Sequence, residues 1–309
     1  MLLTLTASCL KGLLVPAGKA KKPKLDILDL PRYTRETLGL SGFNLSTDLL
    51  VGSDRARLEN IRERADRASC SCLVLIEPNP QNFGEKAETA ALAAAERMCR
   101  VVDAAQILGC SAAALRVAAP DDDDALARVA GRLRPIMERA EKLDINLILA
   151  PDKGLTSRPE RVTELLKKVG GFRIGTYPDF ETAAGQKDPI AYLHRLTPYA
   201  SAVCASTTKF GATGKSGKTE PSLEDLAQKS DKAVVHTAYD LKPLVEAVTS
   251  VGYDGPLALD YRGPGDVAIG IGLSRDAIMR ALGLGQIDDD ELELDDEEDD
   301  LADSAVDEE

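Results

Sequence analysis

Residues 145–180 read INLILAPDKGLTSRPERVTELLKKVGGFRIGTYPDF. An apolar run, Ile145–Leu149, is followed by a turn and then by a segment of helical period, Pro159–Val169. Ser157 and Glu160 stand at capping-box spacing, and Pro159 falls in the first turn, where its missing N–H costs nothing. Gly170 stands where the helix C-terminus is due, and a second apolar run, Phe172–Thr176, begins two residues later. Strand, helix and strand follow one another, the sequence form of a βα repeat in a parallel sheet.

The same form recurs along the chain. Eight apolar runs are expected as strands: Leu3–Ala7, Gly42–Ser46, Cys72–Ile76, Ala113–Val117, Ile145–Leu149, Phe172–Thr176, Ala202–Ser206 and Pro256–Asp260. Helices are expected at Asp54–Ala68, Glu85–Leu108, Asp124–Leu143, Pro159–Val169, Pro189–Leu196, Leu241–Val251 and Ser274–Leu282, with Gly109 and Gly252 as further helix stops. Eight units favour a closed (β/α)8 TIM-type barrel over an open doubly wound sheet, whose G-x-G-x-x-G fingerprint is absent after the first run. In such a barrel function sits at the strand C-terminal ends, which places Asn44, Glu77, Arg116, Asp152, Asp179, Lys209 and Asp260 around one mouth.

Composition narrows the class. Of the last 22 residues, Asp288–Glu309, 15 are Asp or Glu and none is basic, so the tail exceeds the whole chain's net charge of −13. The other 287 residues hold 36 acidic and 38 basic side chains. The reading is one barrel domain over residues 1–284 and a disordered acidic tail over 285–309, too polar to bury a core. With no Trp and twelve aromatic residues, stacking on sugar rings or bases has little to work with. The cysteines at 9, 70, 72, 99, 110 and 204 have neither paired CxxC spacing nor the density of a disulfide scaffold, which fits reduced thiols in the cytoplasm. The apolar start before Cys9 lacks a basic leader region and reads as a first strand, and no run reaches the ~20 apolar residues of a membrane span.

At the level of motifs the chain resembles the xylose isomerase-like TIM barrels, the superfamily of sugar-phosphate isomerases and epimerases that also includes one class of abasic-site endonucleases. The resemblance spans about residues 1–284. It is carried by NLST at Asn44–Thr47, LILAPDKGLTSRPE after the fifth run, GTYPDF after the sixth, and GYDGPLALDYRG at the end. It implies a small sugar-like substrate, proton abstraction beside a carbonyl, and a divalent metal held by Glu, Asp, His and Glu. Those ligand positions fall on Ala150, Asp179, Thr207 and Asp260. Only Asp179 matches outright, and the strand-seven pattern His-x-Lys-Asp reads Thr207-Thr208-Lys209-Phe210 here. A carboxylate base and a cation facing the developing enediolate are what the chemistry requires. If a metal is kept, Asp179, Asp260 and Asp152 would make an oxygen-rich site suited to magnesium or manganese.

Each candidate has a plainer alternative. Asp179 is a ligand or base, or the N-cap of a short helix from Phe180. Asp260, flanked by Leu259 and Tyr261, needs a partner such as Arg262, Lys209 or a metal. Lys209 neutralises an oxyanion or is a solvated loop lysine; Arg116 clamps a carboxylate or phosphate, or pairs with Glu77. Asn44, Glu77 and Arg116 are the expected substrate contacts, and Asp179, Asp260 and Lys209 the catalytic ones. Residues 211–221, GATGKSGKTEP, imitate a phosphate loop at the wrong spacing, so nucleotide hydrolysis is excluded. His194 and His236 lie off the mouth, and the Lys19–Lys24 cluster lacks the aromatics of a nucleic-acid surface. Two functions stay open: a sugar isomerase or epimerase with a partly eroded metal site, and a barrel that has lost catalysis and only binds.

Overall fold

Alternation along each strand decides which side chains enter the barrel and which face the helices. In a computed structural model, residues 1–16, 22–212, 222–229 and 234–284 are described. The expected tail, the Lys19 and Lys21 part of the basic cluster, and most of the glycine-lysine loop, with Lys215 and Lys218, lie outside these residues.

The strands are β1 (Leu2–Thr6), β2 (Gly42–Ser46), β3 (Ser71–Ile76), β4 (Ala112–Leu115), β5 (Asn146–Leu149), β6 (Ile174–Thr176), β7 (Val203–Thr207), β8 (Phe210–Ala212), β9 (Val234–His236) and β10 (Pro256–Tyr261). The helices are α1 (Lys11–Leu14), α2 (Leu30–Arg32), α3 (Arg55–Arg67), α4 (Glu88–Leu108), α5 (Asp123–Lys142), α6 (Pro159–Val169), α7 (Phe180–Ala184), α8 (Pro189–Leu196), α9 (Leu223–Ala227), α10 (Leu241–Ser250) and α11 (Val267–Ala281). Eight parallel strands form one sheet in the order β6-β5-β4-β3-β2-β1-β10-β7. It curls into a TIM-type barrel, closed between β6 and β7 by the isolated parallel bridges Thr176↔Ala200 and Asp179↔Cys204. The eight expected strands are all present; β8 and β9 add a small two-stranded antiparallel sheet after the seventh.

Outward-facing Leu75, Leu115, Leu147, Leu149, Ala205, Leu257 and Leu259 belong to the large core between sheet and helices. Inward-facing Val74, Ile76, Ala112, Ala114, Ile148, Ala150, Cys204 and Ala258 form a second, smaller core with Tyr177 and Ala202. Five of these residues are alanines, and one of them, Ala150 at the end of β5, lines the cavity at the mouth.

Two local expectations are corrected. Ser157 makes no capping box with Glu160: its hydroxyl donates to the Gly154 carbonyl, and the N-cap of α6 is Arg158, without a side-chain cap. A capping box is formed instead by Ser222 and Asp225 at α9. The last helix begins at Val267, seven residues before the expected Ser274, with the Asp266 carboxylate accepting from the Ala268 and Ile269 N–H groups. Two glycines in VAIGIGL hide its helical period from the sequence, although Gly270 is needed there because a Cβ would lie 2.3 Å from the Tyr261 ring.

Candidate functional site

The C-terminal ends of the strands surround a cavity of about 140 Å³. β1 and its following turn contribute Thr6 and Ser8, and β2 contributes Ser46. Arg116 follows β4, Ala150 and Pro151 follow β5, and Tyr177 and Asp179 follow β6; Cys204 comes from β7 and Asp260 and Arg262 from the end of β10.

Two carboxylates lie at its base, Asp179 at 5 % exposure and Asp260 at 8 %. The Arg262 guanidinium bridges them. Its Nε donates to Asp260 Oδ2 at 2.8 Å, its Nη2 to Asp179 Oδ2, and its Nη1 to Asp179 Oδ1 at 3.3 Å and to Glu181 Oε2 at 2.6 Å. Nη2 also lies 2.8 Å from Asp260 Oδ2. A planar fork of five donors is suited to holding several carboxylate oxygens at once. Asp179 also caps α7, accepting from the Thr182 N–H at 2.8 Å and from its hydroxyl at 3.0 Å. Of the alternatives read for Asp179, the helix cap is the one formed, by a carboxylate that also lines the cavity.

The two carboxyls differ in acidity. Burial pushes Asp179 up, but the Arg262 charge and its hydrogen bonds outweigh this and hold it below the usual carboxylate range. Burial dominates at Asp260, with the Asp179 and Glu181 charges adding to it against Arg262, so its carboxyl is raised. Asp260 uses Oδ2 for its Arg262 contacts and for Cys204 Sγ, leaving Oδ1 without a hydrogen-bond partner among the described residues. Burial also raises the Cys204 thiol and the Tyr177 phenol, so both stay protonated.

Opposite charge comes from Arg116, whose Nη1 donates to the Pro151 carbonyl at 3.1 Å and which forms no ion pair among the described residues. The expected pairing with Glu77 is not made. Glu77, 1 % exposed, instead accepts from Arg97 Nε at 2.8 Å, from Thr47 Oγ1 at 3.0 Å and from the Asn79 N–H. On the cavity floor the buried Thr6 Oγ1 has no hydrogen-bond partner within bonding distance among the described residues, and neither has Asn44 Oδ1, whose Nδ2 donates to the Tyr177 hydroxyl at 3.4 Å.

Of the sequence candidates, Asp179, Asp260 and Arg116 line the cavity; Asn44, Glu77, Asp152 and Lys209 do not. Lys209 is exposed, its carbonyl accepting from the Thr237 N–H at 2.8 Å. Asp152 is half-buried, with its N–H on Thr156 Oγ1. His194 is exposed and bonds Ser250, whereas His236 is half-buried at the end of β9, paired with Phe210 of β8. Thr6, Ser8, Ser46 and Tyr177 were not legible as site residues, because hydroxyl-bearing residues at strand ends are too common to single out.

The metal set implied by the resemblance does not fit these residues. Ala150 has no donor atom, and the Thr207 hydroxyl is tied to Ser274 Oγ at 2.6 Å, away from the cavity. Asp179 and Asp260 are both taken by Arg262. Among the described residues no three His, Cys, Asp or Glu side chains are arranged to hold a metal ion, and no helix is long and apolar enough to cross a membrane.

A family model described as xylose isomerase-like TIM barrel matches residues 35–281. Among solved structures, an L-ribulose 3-epimerase is similar at TM-score 0.71 and 13 % identity, over 91 % of this chain and 94 % of that one. An IOLI protein with a bound zinc atom is similar at TM-score 0.66 and 12 % identity, over 92 % and 98 %. A xylose isomerase-like barrel protein from Mycobacterium smegmatis in complex with magnesium is similar at TM-score 0.63 and 14 % identity, over 92 % and 97 %. Among curated proteins no sequence matches the chain.

Proposed function

Because the chain belongs to the xylose isomerase-like TIM barrel family, we propose that it binds a small sugar-like ligand at the barrel mouth and moves a proton at the carbon beside its carbonyl, without a divalent metal. The observation that carries this reading is the pairing, in one cavity, of a buried carboxylate with an open oxygen, Asp260, and a guanidinium with uncommitted donors, Arg116. Asp260 Oδ1 takes the proton from carbon, and the electron pair moves onto the carbonyl oxygen as an enediolate. Arg116 faces that charge as it develops, the role a metal plays elsewhere. A single available carboxylate oxygen suits isomerisation, in which one base removes a proton and returns it to the neighbouring carbon while that carbon's hydroxyl proton passes to the former carbonyl oxygen. Thr6, Ser8 and the protonated Tyr177 supply hydroxyl groups for a polyol chain. Asp179 positions Arg262, and Lys209 has no part in the step. Six free thiols support a reducing, cytoplasmic setting.

A second reading, a barrel that binds its ligand and performs no chemistry, is favoured by Ala150, Thr207 and the full engagement of Asp179. The two separate in one experiment. Candidate ketoses and aldoses are incubated with EDTA-treated protein in D₂O, and NMR follows both binding and loss of the carbon-bound proton. Catalysis predicts deuterium incorporation that falls by about 10²–10⁴-fold in Asp260→Asn while binding persists. Binding of a sugar with neither exchange at any carbon nor conversion to its isomer would leave the second reading standing alone.

A further inference from the structure

Counting the donors of Arg262 assigns it a role that no metal-ligand pattern contains. We propose that its guanidinium is the permanent cation of this site, occupying the place between Asp179 and Asp260 that a divalent ion would need, so that the barrel does not take up metal there. The inference rests on the metal-free half of the reading above and is independent of whether the barrel catalyses.

Two adjacent carboxylates, both more than nine-tenths buried, cannot remain ionised in a low-dielectric pocket without positive charge between them. A metal would supply that charge and would need further donors around it. Here Ala150 and Thr207 offer none, and the charge is supplied from the chain itself. Nε, Nη1 and Nη2 all donate to carboxylate oxygens of Asp260, Asp179 and Glu181. No direction of the guanidinium fork is left pointing at a ligand, which makes Arg262 a positioning residue.

The fold holds this cation in place from both sides. Arg262 lies two residues beyond Asp260, so strand alternation sends both side chains toward the interior. Its N–H donates to the Thr207 carbonyl at 2.8 Å, extending the β10–β7 ladder past the last paired strand residues. The next residue is Gly263, where a Cβ would lie 1.8 Å from the Thr208 carbonyl oxygen; the chain at this point passes too close to β7 for any other residue.

The test is manganese uptake by the full-length chain, followed by electron paramagnetic resonance after removal of bound metal with EDTA. The acidic tail will bind manganese loosely, so site occupancy is the part that Asp179→Asn removes. Wild type should show none. Arg262→Ser, which leaves Asp179, Asp260 and Glu181 facing an open space, should gain about one Asp179-dependent equivalent near millimolar manganese, a change that a merely structural arginine would not produce. Arg262→Lys, retaining a charge, should gain none. An Asp179-dependent equivalent in wild type overturns the proposal, and this arm needs no variant of Arg262 to fold. So does a folded Arg262→Ser protein, judged by circular dichroism, that gains nothing.

Discussion

Glu77 illustrates how much a strand-end position leaves undecided. Counting along the chain puts it at the mouth, but its side chain turns between β3 and α4, where Arg97, Thr47 and the Asn79 N–H satisfy it. Arg97 is itself 42 % exposed. Arg97→Met would leave a buried carboxylate without its charge partner, and the cost should be about 3 kcal/mol, at the low end for a broken buried pair because water reaches Arg97. Urea unfolding measures it; a change below about 0.5 kcal/mol, the size of an ordinary surface substitution, would show that Glu77 does not depend on the pair. The same limit explains Asp152 and Lys209, which follow the ends of their strands yet do not line the cavity, whereas Asn44, inside β2, bonds the Tyr177 hydroxyl without lining it. Sequence gives the end of the strand and the alternation along it; direction after the last paired residue is set by the turn. Asp260 was readable for the opposite reason, since a carboxylate between Leu259 and Tyr261 requires a partner, and alternation makes Arg262 the nearest one on its face.

Elements were legible where one signal dominated. Gly42–Ser46, Pro159–Val169 and Pro189–Leu196 have the bounds read from apolar runs and proline starts, whereas α11 was shortened by its glycines. The β8–β9 pair had no signal of its own around a segment rich in glycine and lysine. It carries a pH-sensitive joint. His236 Nδ1–H donates to the Tyr239 carbonyl at 2.8 Å, and Nε2 accepts from the Thr208 N–H at 3.0 Å, so the neutral ring satisfies both partners. Burial lowers its pKa, against the favourable pull of the Tyr239 carbonyl and Glu181. In the unfolded chain the ring protonates near the usual value of about 6.5, and in the folded chain only below that. Between the two values the unfolded state binds the extra proton, so stability is fully present above about 6.5 and declines as pH falls through the folded value. Melting temperatures from pH 7.5 to 5 should show this decline in wild type and a shallower one in His236→Gln; parallel profiles would remove His236 as its source.

For the molecule as a whole, the sequence distinguished a near-neutral barrel from a strongly acidic end. Fifteen like charges in residues 288–309 repel one another, and the few apolar side chains among them are too sparse to build a core. Deletion of 288–309 should leave the melting temperature unchanged. Affinity for a mouth ligand should also be unchanged at low salt, where screening is weakest and any electrostatic effect of the tail would be largest. A salt-sensitive gain in affinity on deletion would instead identify the tail as an electrostatic cover over the mouth, and a large fall in melting temperature would mean that it packs on the barrel.

Closure of the barrel is uneven. β10 and β7 are joined by five registered pairs, whereas among the described residues β6 and β7 share no registered strand pair and are linked by isolated bridges and the bond from the Cys204 N–H to the Pro178 carbonyl at 2.8 Å. Gly175 lies on this seam, where a Cβ would come within 2.5 Å of the Tyr199 carbonyl oxygen. Arg262 reaches across it, from the end of β10 past β7 to Asp179 and Glu181 beyond β6. The bonds that neutralise the mouth are thus also the clasp of the barrel. An altered chemistry at position 262 would have to mend the seam by other means, and inheritance of the one is tied to inheritance of the other.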